Sequence, residues 1–256
     1  MKTKTKLILA LVITSLFSIT SCKKHPVEPV QTPTGILMMH LHTNIDTTEV
    51  DAYDSVYTDE TGRRMSLNLA QMYISGVQLV KLDGSTYEIP DYNCLKVFET
   101  EGYAISNVPL GNYKAIRFKV GLNPTINALE PTNSLYSFIL DKSEMWFTNP
   151  VQPNGYIFAN IQGKVDTTTA KNGALIPFSY KIGTNANLIE VALPEKNFTV
   201  SDGMLSYAHL VIDYSKVFDG IQLNQVSNLS INSIGDNSSA LATSIKNNIS
   251  SMFHFE

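Results

Sequence analysis

Short runs of alternating or β-branched residues, each ended by glycine, proline, asparagine or aspartate, recur along most of this chain and restrict it to an all-β architecture. Residues 36–42 form the first such run. Residues 65–82 form the longest, and Asp83-Gly84 then turns it into residues 85–89, a hairpin signal. Further runs cover residues 94–98, 113–120, 156–165, 174–182, 188–193 and 205–214. Between them stand Pro109-Leu110-Gly111-Asn112, Asn123-Pro124 and Lys171-Asn172-Gly173. Strands this short at this spacing predict an antiparallel β-sandwich of roughly eight to ten strands rather than a parallel sheet. The tail departs from the pattern. Residues 238–253 place Leu241, Ile245, Ile249 and Met252 on one helical face, with serines at the start to cap it, which predicts an amphipathic helix closing the sandwich.

The N-terminus sets the expected location. Lys2, Lys4 and Lys6 precede an apolar run too short for a membrane span, and Ile19-Thr20-Ser21-Cys22 supplies small residues and a thiol at the processing point. This is the grammar of a bacterial lipoprotein signal, with residues 1–21 removed and Cys22 lipidated. Residues 22–35 hold three prolines and read as a semi-rigid tether, leaving 36–256 as one domain on a lipid anchor. The placement is the cell envelope, on the periplasmic or the surface face of the outer membrane. With Cys22 committed to lipid, Cys94 has no disulfide partner and reads as a buried, inert thiol. Without the three lysines of the signal, 16 basic residues remain against 23 acidic ones, and no Lys/Arg cluster points to nucleic acid. The oligomeric state has no signature in the sequence.

Few residues carry chemistry. Met38, His40 and His42 alternate along the first expected strand, so their side chains share one face while Met39 and Leu41 take the other. Imidazole with thioether suits Cu(I), a soft ion. The other reading of the same residues is an edge strand that exposes two histidines while Met38 packs. His209 shares a face with Tyr207 and Asp213, as a solvated or hydrogen-bonded side chain or as a third ligand if its strand neighbours the first. Trp146, the single tryptophan, reads as an apolar anchor beside Met145 and Phe147. His25 and His254 read as solvated. Asp46, Glu49, Asp51, Asp54, Asp59 and Glu60 lack calcium-loop spacing and read as a solvated acidic loop. No Gly-x-Ser-x-Gly, His-Glu-x-x-His or phosphate loop is present, which leaves no motif on which to build an enzymatic mechanism.

Three segments together resemble the MbnP-like lipoproteins. The first is Tyr57-Thr58-Asp59-Glu60-Thr61-Gly62 followed by Tyr73-Ile74-Ser75-Gly76-Val77-Gln78-Leu79 and the Asp-Gly hairpin. The second is Gly111-Asn112-Tyr113-Lys114-Ala115-Ile116-Arg117-Phe118-Lys119-Val120-Gly121, and the third runs from Met145-Trp146-Phe147 through Gly155-Tyr156 to Gly163. The resemblance spans about residues 36–253, a length consistent with one domain. It implies a β-sandwich binding protein linked to copper and not an enzyme, with histidine in the first strand, a tryptophan oxidised to kynurenine as a ligand at Trp146, and a di-haem peroxidase-like partner performing the oxidation. Two positions depart from the family pattern. Phe147-Thr148-Asn149 stands where relatives often carry Trp-x-Trp, and Lys181 stands where they commonly carry histidine; a charged lysine offers no lone pair. Two functions follow as expectations: a copper-handling lipoprotein with His40, His42, Met38 and His209 around the ion, or a surface interaction and adhesion module that binds by its loops without metal.

Overall fold

The structure, a computed structural model, describes residues 33–147 and 155–256. The signal segment, Cys22 and the tether as far as Thr32 lie outside the described residues. The described residues fold as one unit, Pro33–Glu256. Its strands in chain order are β1 (Thr34–Ile45), β2 (Thr48–Glu49), β3 (Tyr57–Thr58), β4 (Arg64–Lys81), β5 (Thr86–Glu88), β6 (Asn93–Lys96), β7 (Gly102–Pro109) and β8 (Gly111–Val120). There follow β9 (Ile157–Asp166), β10 (Leu175–Gly183), β11 (Ile189–Ala192), β12 (Phe198–Val200), β13 (Leu205–Asp213), β14 (Ser230–Ile231) and β15 (Phe253–Phe255). Helix α1 (Ala240–Ser251) precedes the last strand. The all-β expectation holds. The strand count exceeds it because fragments of two to four residues, such as β2, β5 and β15, pair with the longer strands.

Two sheets enclose the core. The smaller runs β15-β13-β1-β2, with β7 also pairing β1. The larger runs β11-β8-β4-β9-β10-β14, with β12 on β8 and β3, β5 and β6 on β4. The expectation of purely antiparallel pairing is corrected at two places: β1 runs parallel to β13, and β10 runs parallel to β14. Parallel neighbours need a long crossover, and here most of the domain lies between β1 and β13. β1 is also an internal strand, flanked by β13 and β7, so its histidines do not sit on an edge.

Alternation decides which side chains enter the core. Leu37, Met39, Leu41 and Ile45 of β1 are fully buried between the sheets, whereas Met38, His40 and His42 are half-buried on the opposite, outer face. β4 splits the same way: Met72 and Ile74 join the central core, and Tyr73 between them points outward into a second cluster with Ile126, Leu140, Met145, Tyr156 and Phe158. The segment between β8 and β9 covers that outer face. The hairpin after β4 closes as expected, with Gly84 at φ 86° and Asp83 Oδ1 accepting from Ser85 N at 2.8 Å. Helix α1 is capped by Ser239, whose Oγ accepts from Ala242 N at 3.1 Å. Its Ile245 and Ile249, with Met252 beyond it, have no exposed surface, each contributing about 1.5–3 kcal/mol of apolar burial. Leu241 packs at the margin, and Ala242 takes the buried place one residue later.

Candidate metal centre

The outer face of the smaller sheet carries the site. In the parallel register His40 stands directly opposite His209, and His42 opposite Val211. The alternation that buries Leu41 and Leu210 therefore turns all three imidazoles to the same side. His40 Nδ1 and His42 Nε2 lie 3.0 Å apart. Ligands about 2.0–2.1 Å from one ion at that separation subtend an angle of about 95° there, a cis pair in either a tetrahedral or a tetragonal shell. One ring nitrogen of each of His40, His42 and His209 lies within 4.8 Å of the other two, close to the ~4.2 Å that separates ligands on opposite sides of one ion. The rings are tightly grouped, with centroid separations of 4.5, 5.2 and 5.9 Å. Their side chains keep 29%, 17% and 45% of their surface in the order of the chain, so water or an ion reaches them without opening the fold.

Three carboxylates surround the imidazoles, and sequence reasoning assigned none of them to the site. Glu101 places Oε2 3.4 Å from His40 Nε2 and Oε1 3.7 Å from His42 Nδ1. Glu49 Oε1 lies 3.4 Å from His42 Nδ1, so this member of the acidic stretch faces the histidines rather than only solvent. Glu256 Oε2 lies 3.7 Å from His42 Nε2 and 3.5 Å from His209 Nδ1. His42, Glu49 and Glu101 form a second group with ion-binding spacing. Three carboxylates grouped around the imidazoles make the patch favourable to a cation. The signal for Glu49 and Glu101 was weak, because Glu49 ends a two-residue strand and Glu101 precedes β7, positions where periodicity says nothing about direction.

Glu101 is held from below. Its carbonyl accepts from Leu41 N at 2.9 Å, the residue between the two histidines. Lys96 has no exposed surface, and its ammonium donates to Thr43 Oγ1 at 3.2 Å, Val97 O at 2.7 Å and Thr100 O at 3.0 Å. These bonds tie the turn that carries Glu101 to β1. Burial pushes the Lys96 ammonium down to about 8, and the charge of Glu101 acts against that shift.

The other expected residues fall as follows. Met38 shares the histidine face, and its Sδ lies over Gly102 of β7, 3.3 Å from where a Cβ on that glycine would stand. Trp146 is not brought to the histidines: it packs in the second cluster, beyond the larger sheet, with the central core between it and β1. Its Nε1 donates to Leu140 O at 2.9 Å, as befits a packed anchor. His254 is exposed and pairs with Val211. Cys94 is half-buried and free, and burial pushes its thiol up to about 12, in keeping with an inert role. Cys22 lies outside the described residues.

The MbnP family model matches residues 34–234, from the start of β1 to beyond β14. The chain belongs to the MbnP family. Among solved structures, MbnP from Methylosinus trichosporium superposes with a TM-score of 0.50 at 16% identity, over 73% of this chain and 78% of that one, which supports the shared fold. No curated protein matches the chain. The MbnP-family match takes in β1 and β13, the two strands whose histidines meet. No helix of the described residues is long and apolar enough to cross a membrane.

Proposed function

We propose that this MbnP-family protein is a lipid-anchored envelope protein that binds copper through His40, His42 and His209. The observation that carries the reading is the 3.0 Å approach of His40 Nδ1 to His42 Nε2 with a His209 nitrogen beside them. Two unprotonated ring nitrogens at that distance repel unless a proton or a cation lies between them, and three glutamates favour the cation. Imidazole is a good ligand for copper and zinc alike, and the family resemblance to copper-linked lipoproteins favours copper. Anchoring rests on the Cys22 signal, which holds the site at the membrane surface.

Equilibrium copper titration of the full chain tests the proposal, with affinity in the His40→Ala/His42→Ala double variant expected to fall by at least about 100-fold, since two of three nitrogen ligands are lost. Unchanged affinity in that variant refutes it. Oxidation of Trp146 by a di-haem peroxidase-like partner belongs to the same family expectation, and intact mass of native protein tests it: the unmodified sequence mass rules it out. The interaction-module reading draws on one feature, the exposed Ile36, Met204, Leu205 and Tyr207 at one end of the two histidine-bearing strands. Stable capture of a metal-independent partner on that patch favours it.

A further inference from the structure

We infer that the end of the sandwich where the tether enters is a membrane-docking surface, which seats Ile36, Met204, Leu205 and Tyr207 in the interfacial layer of a zwitterionic bilayer. The inference rests on the lipid-anchor reading above and goes beyond it. An anchor alone leaves the domain free to tumble, whereas docking holds it in one orientation.

The parallel pairing of β1 with β13 builds the surface. Both strands start at the same end, with Ile36 opposite Leu205 and Met38 opposite Tyr207. Alternation turns Ile36, Leu205 and Tyr207 to the outer face, because Leu37, Ala208 and Leu210 fill the inner one. The turn before β13 adds Met204, next to Gly203 at φ 66°. These four side chains keep between 43% and 63% of their surface in water. The larger sheet contributes at the same end. There β8 starts, with Gly111 facing Val200 and Tyr113 facing Lys81, so Leu82 just beyond β4 is a further exposed apolar side chain. Five of the ten large apolar side chains exposed among the described residues thus gather at one end. Apolar surface concentrated in this way marks a contact with another phase or partner.

The tether identifies the occupant. The chain enters the domain at Pro33, whose carbonyl accepts from Leu110 N at 3.4 Å. Gly35 packs so tightly that a Cβ there would stand 2.8 Å from Ser201 O, in the turn that leads to Met204. The entry point and the apolar side chains therefore share one end. From Cys22 to Pro33 the chain advances eleven residues, about 40 Å at full extension. As a flexible coil the same length spans about 20 Å. A surface so close to its lipid meets the bilayer at an effective concentration in the millimolar range.

The charges at this end select the lipid. Asp83 and Asp202 are exposed there, and the chain beyond its signal carries more acidic than basic residues, so anionic headgroups are repelled. Apolar insertion then supplies the contact. Tyrosine collects at membrane–water interfaces, and the Tyr207 ring stacks on His209 with centroids 5.7 Å apart. His40 follows Ile36 by four residues of β1, about 13 Å. With the apolar side chains seated about 5–10 Å deep, the histidine cluster stands at the headgroups and not in the hydrocarbon.

The test places a fluorescent reporter in the surface. The full chain, produced with its lipid, is reconstituted in phosphatidylcholine vesicles and quenched with acyl-brominated phosphatidylcholine. Trp146, the single native tryptophan, lies in the cluster beyond the larger sheet and serves as the reference. Wild-type emission is expected to fall by less than about 10%, whereas the ring added in Leu205→Trp loses about half its emission, as befits a side chain seated in the interface. Adding Ile36→Glu and Met204→Glu to that variant is expected to abolish the extra quenching. Leu135→Trp, at an exposed apolar position on the segment that covers the larger sheet, is expected to behave as wild type. Circular dichroism checks each fold, and Met204→Trp replaces Leu205→Trp if the latter does not fold. Quenching of Leu205→Trp no greater than wild type, in chains that float with the vesicles, overturns the inference and leaves the anchor standing. Equal quenching of Leu135→Trp and Leu205→Trp also overturns it, since the domain then has no fixed orientation. A wild-type dimer in detergent that Leu205→Glu dissociates assigns the surface to a second copy and overturns it as well. Chains that do not float at all refute the anchor and the docking together.

Discussion

Replacing Gly163 with alanine probes the contact on which the larger sheet depends. Gly163 lies on β9 opposite Leu67 of β4, where the register of that pair shifts between Leu67 and Leu69. The irregularity brings the Ser66 carbonyl so close that a Cβ on residue 163 would stand 1.9 Å from its oxygen, 2.9 Å from its carbon and 3.1 Å from Leu67 Cα. All three are backbone atoms, so no side-chain rotation relieves the clash. Real Cβ atoms essentially never come closer than 3.0 Å to such neighbours, so the strands must part by about an ångström. That overpacking costs about 1–3 kcal/mol. Loosening one or two neighbouring ladder hydrogen bonds adds about 1 kcal/mol each. The total of about 2–5 kcal/mol lowers the melting temperature by roughly 5–20 °C for a domain of this size. Thermal denaturation followed by circular dichroism measures it. A Gly163→Ala chain melting within about 2 °C of wild type refutes the close approach of β4 to β9, since overpacking of this kind costs at least about 1 kcal/mol.

Three more outcomes follow from particular side chains. Lys96 titrates near 8 in the fold and near 10.4 in the unfolded chain; the unfolded state then binds more protons between those values, so stability rises with pH across about 8 to 10, and Lys96→Met removes that rise in denaturant titrations at stepped pH. The Arg64 guanidinium, with Thr168, holds the Asp166 carboxyl well below the usual range, so its contribution is fully present above about pH 4 and is lost progressively as pH falls; Asp166→Asn is expected to melt lower at pH 7, with a smaller difference at pH 2, and an equal difference at both pH values refutes the pairing. An ion held only by the folded chain stabilises it by about 4 kcal/mol at a thousandfold excess over Kd, so Cu(II) is expected to raise the melting temperature by roughly 8–16 °C in wild type and not in His40→Ala/His42→Ala.

The sequence disclosed the parts of this site that obey a local period. Alternation placed Met38, His40 and His42 on one face of β1 and His209 on the face of Tyr207, and the structure keeps both placements. It did not disclose that β1 and β13 lie side by side, because strand pairing across most of a domain leaves no trace in either strand's own pattern. Strand β7 went unread although Tyr103 and Ile105 alternate: Asn107 at φ 61° and the register shift near Gly35 break the run after two repeats. Glu101 and Glu256 flank β7 and β15, where a carboxylate's direction is set by tertiary contacts such as the Lys96 bonds and the His209 carbonyl. Trp146 illustrates the converse. A motif can place a residue in the right block of sequence while the fold sets it beyond the opposite sheet from the histidines.

The parallel seam between β1 and β13 makes the histidine cluster a product of the finished fold. β1 is formed from the first described residues, whereas β13 and the Glu256 that follows β15 come from the last part of the sequence. A chain emerging from its N-terminus presents His40 and His42 long before His209 exists to meet them, and such sequence-distant pairings form slowly. Partly folded chains therefore hold only part of the cluster, and under the proposed function they are expected to bind an ion less tightly than the completed domain. On the proposed reading, an ion held by the cluster would cross-link β1, the first strand of the described residues, to β13, which most of the domain separates from it in sequence.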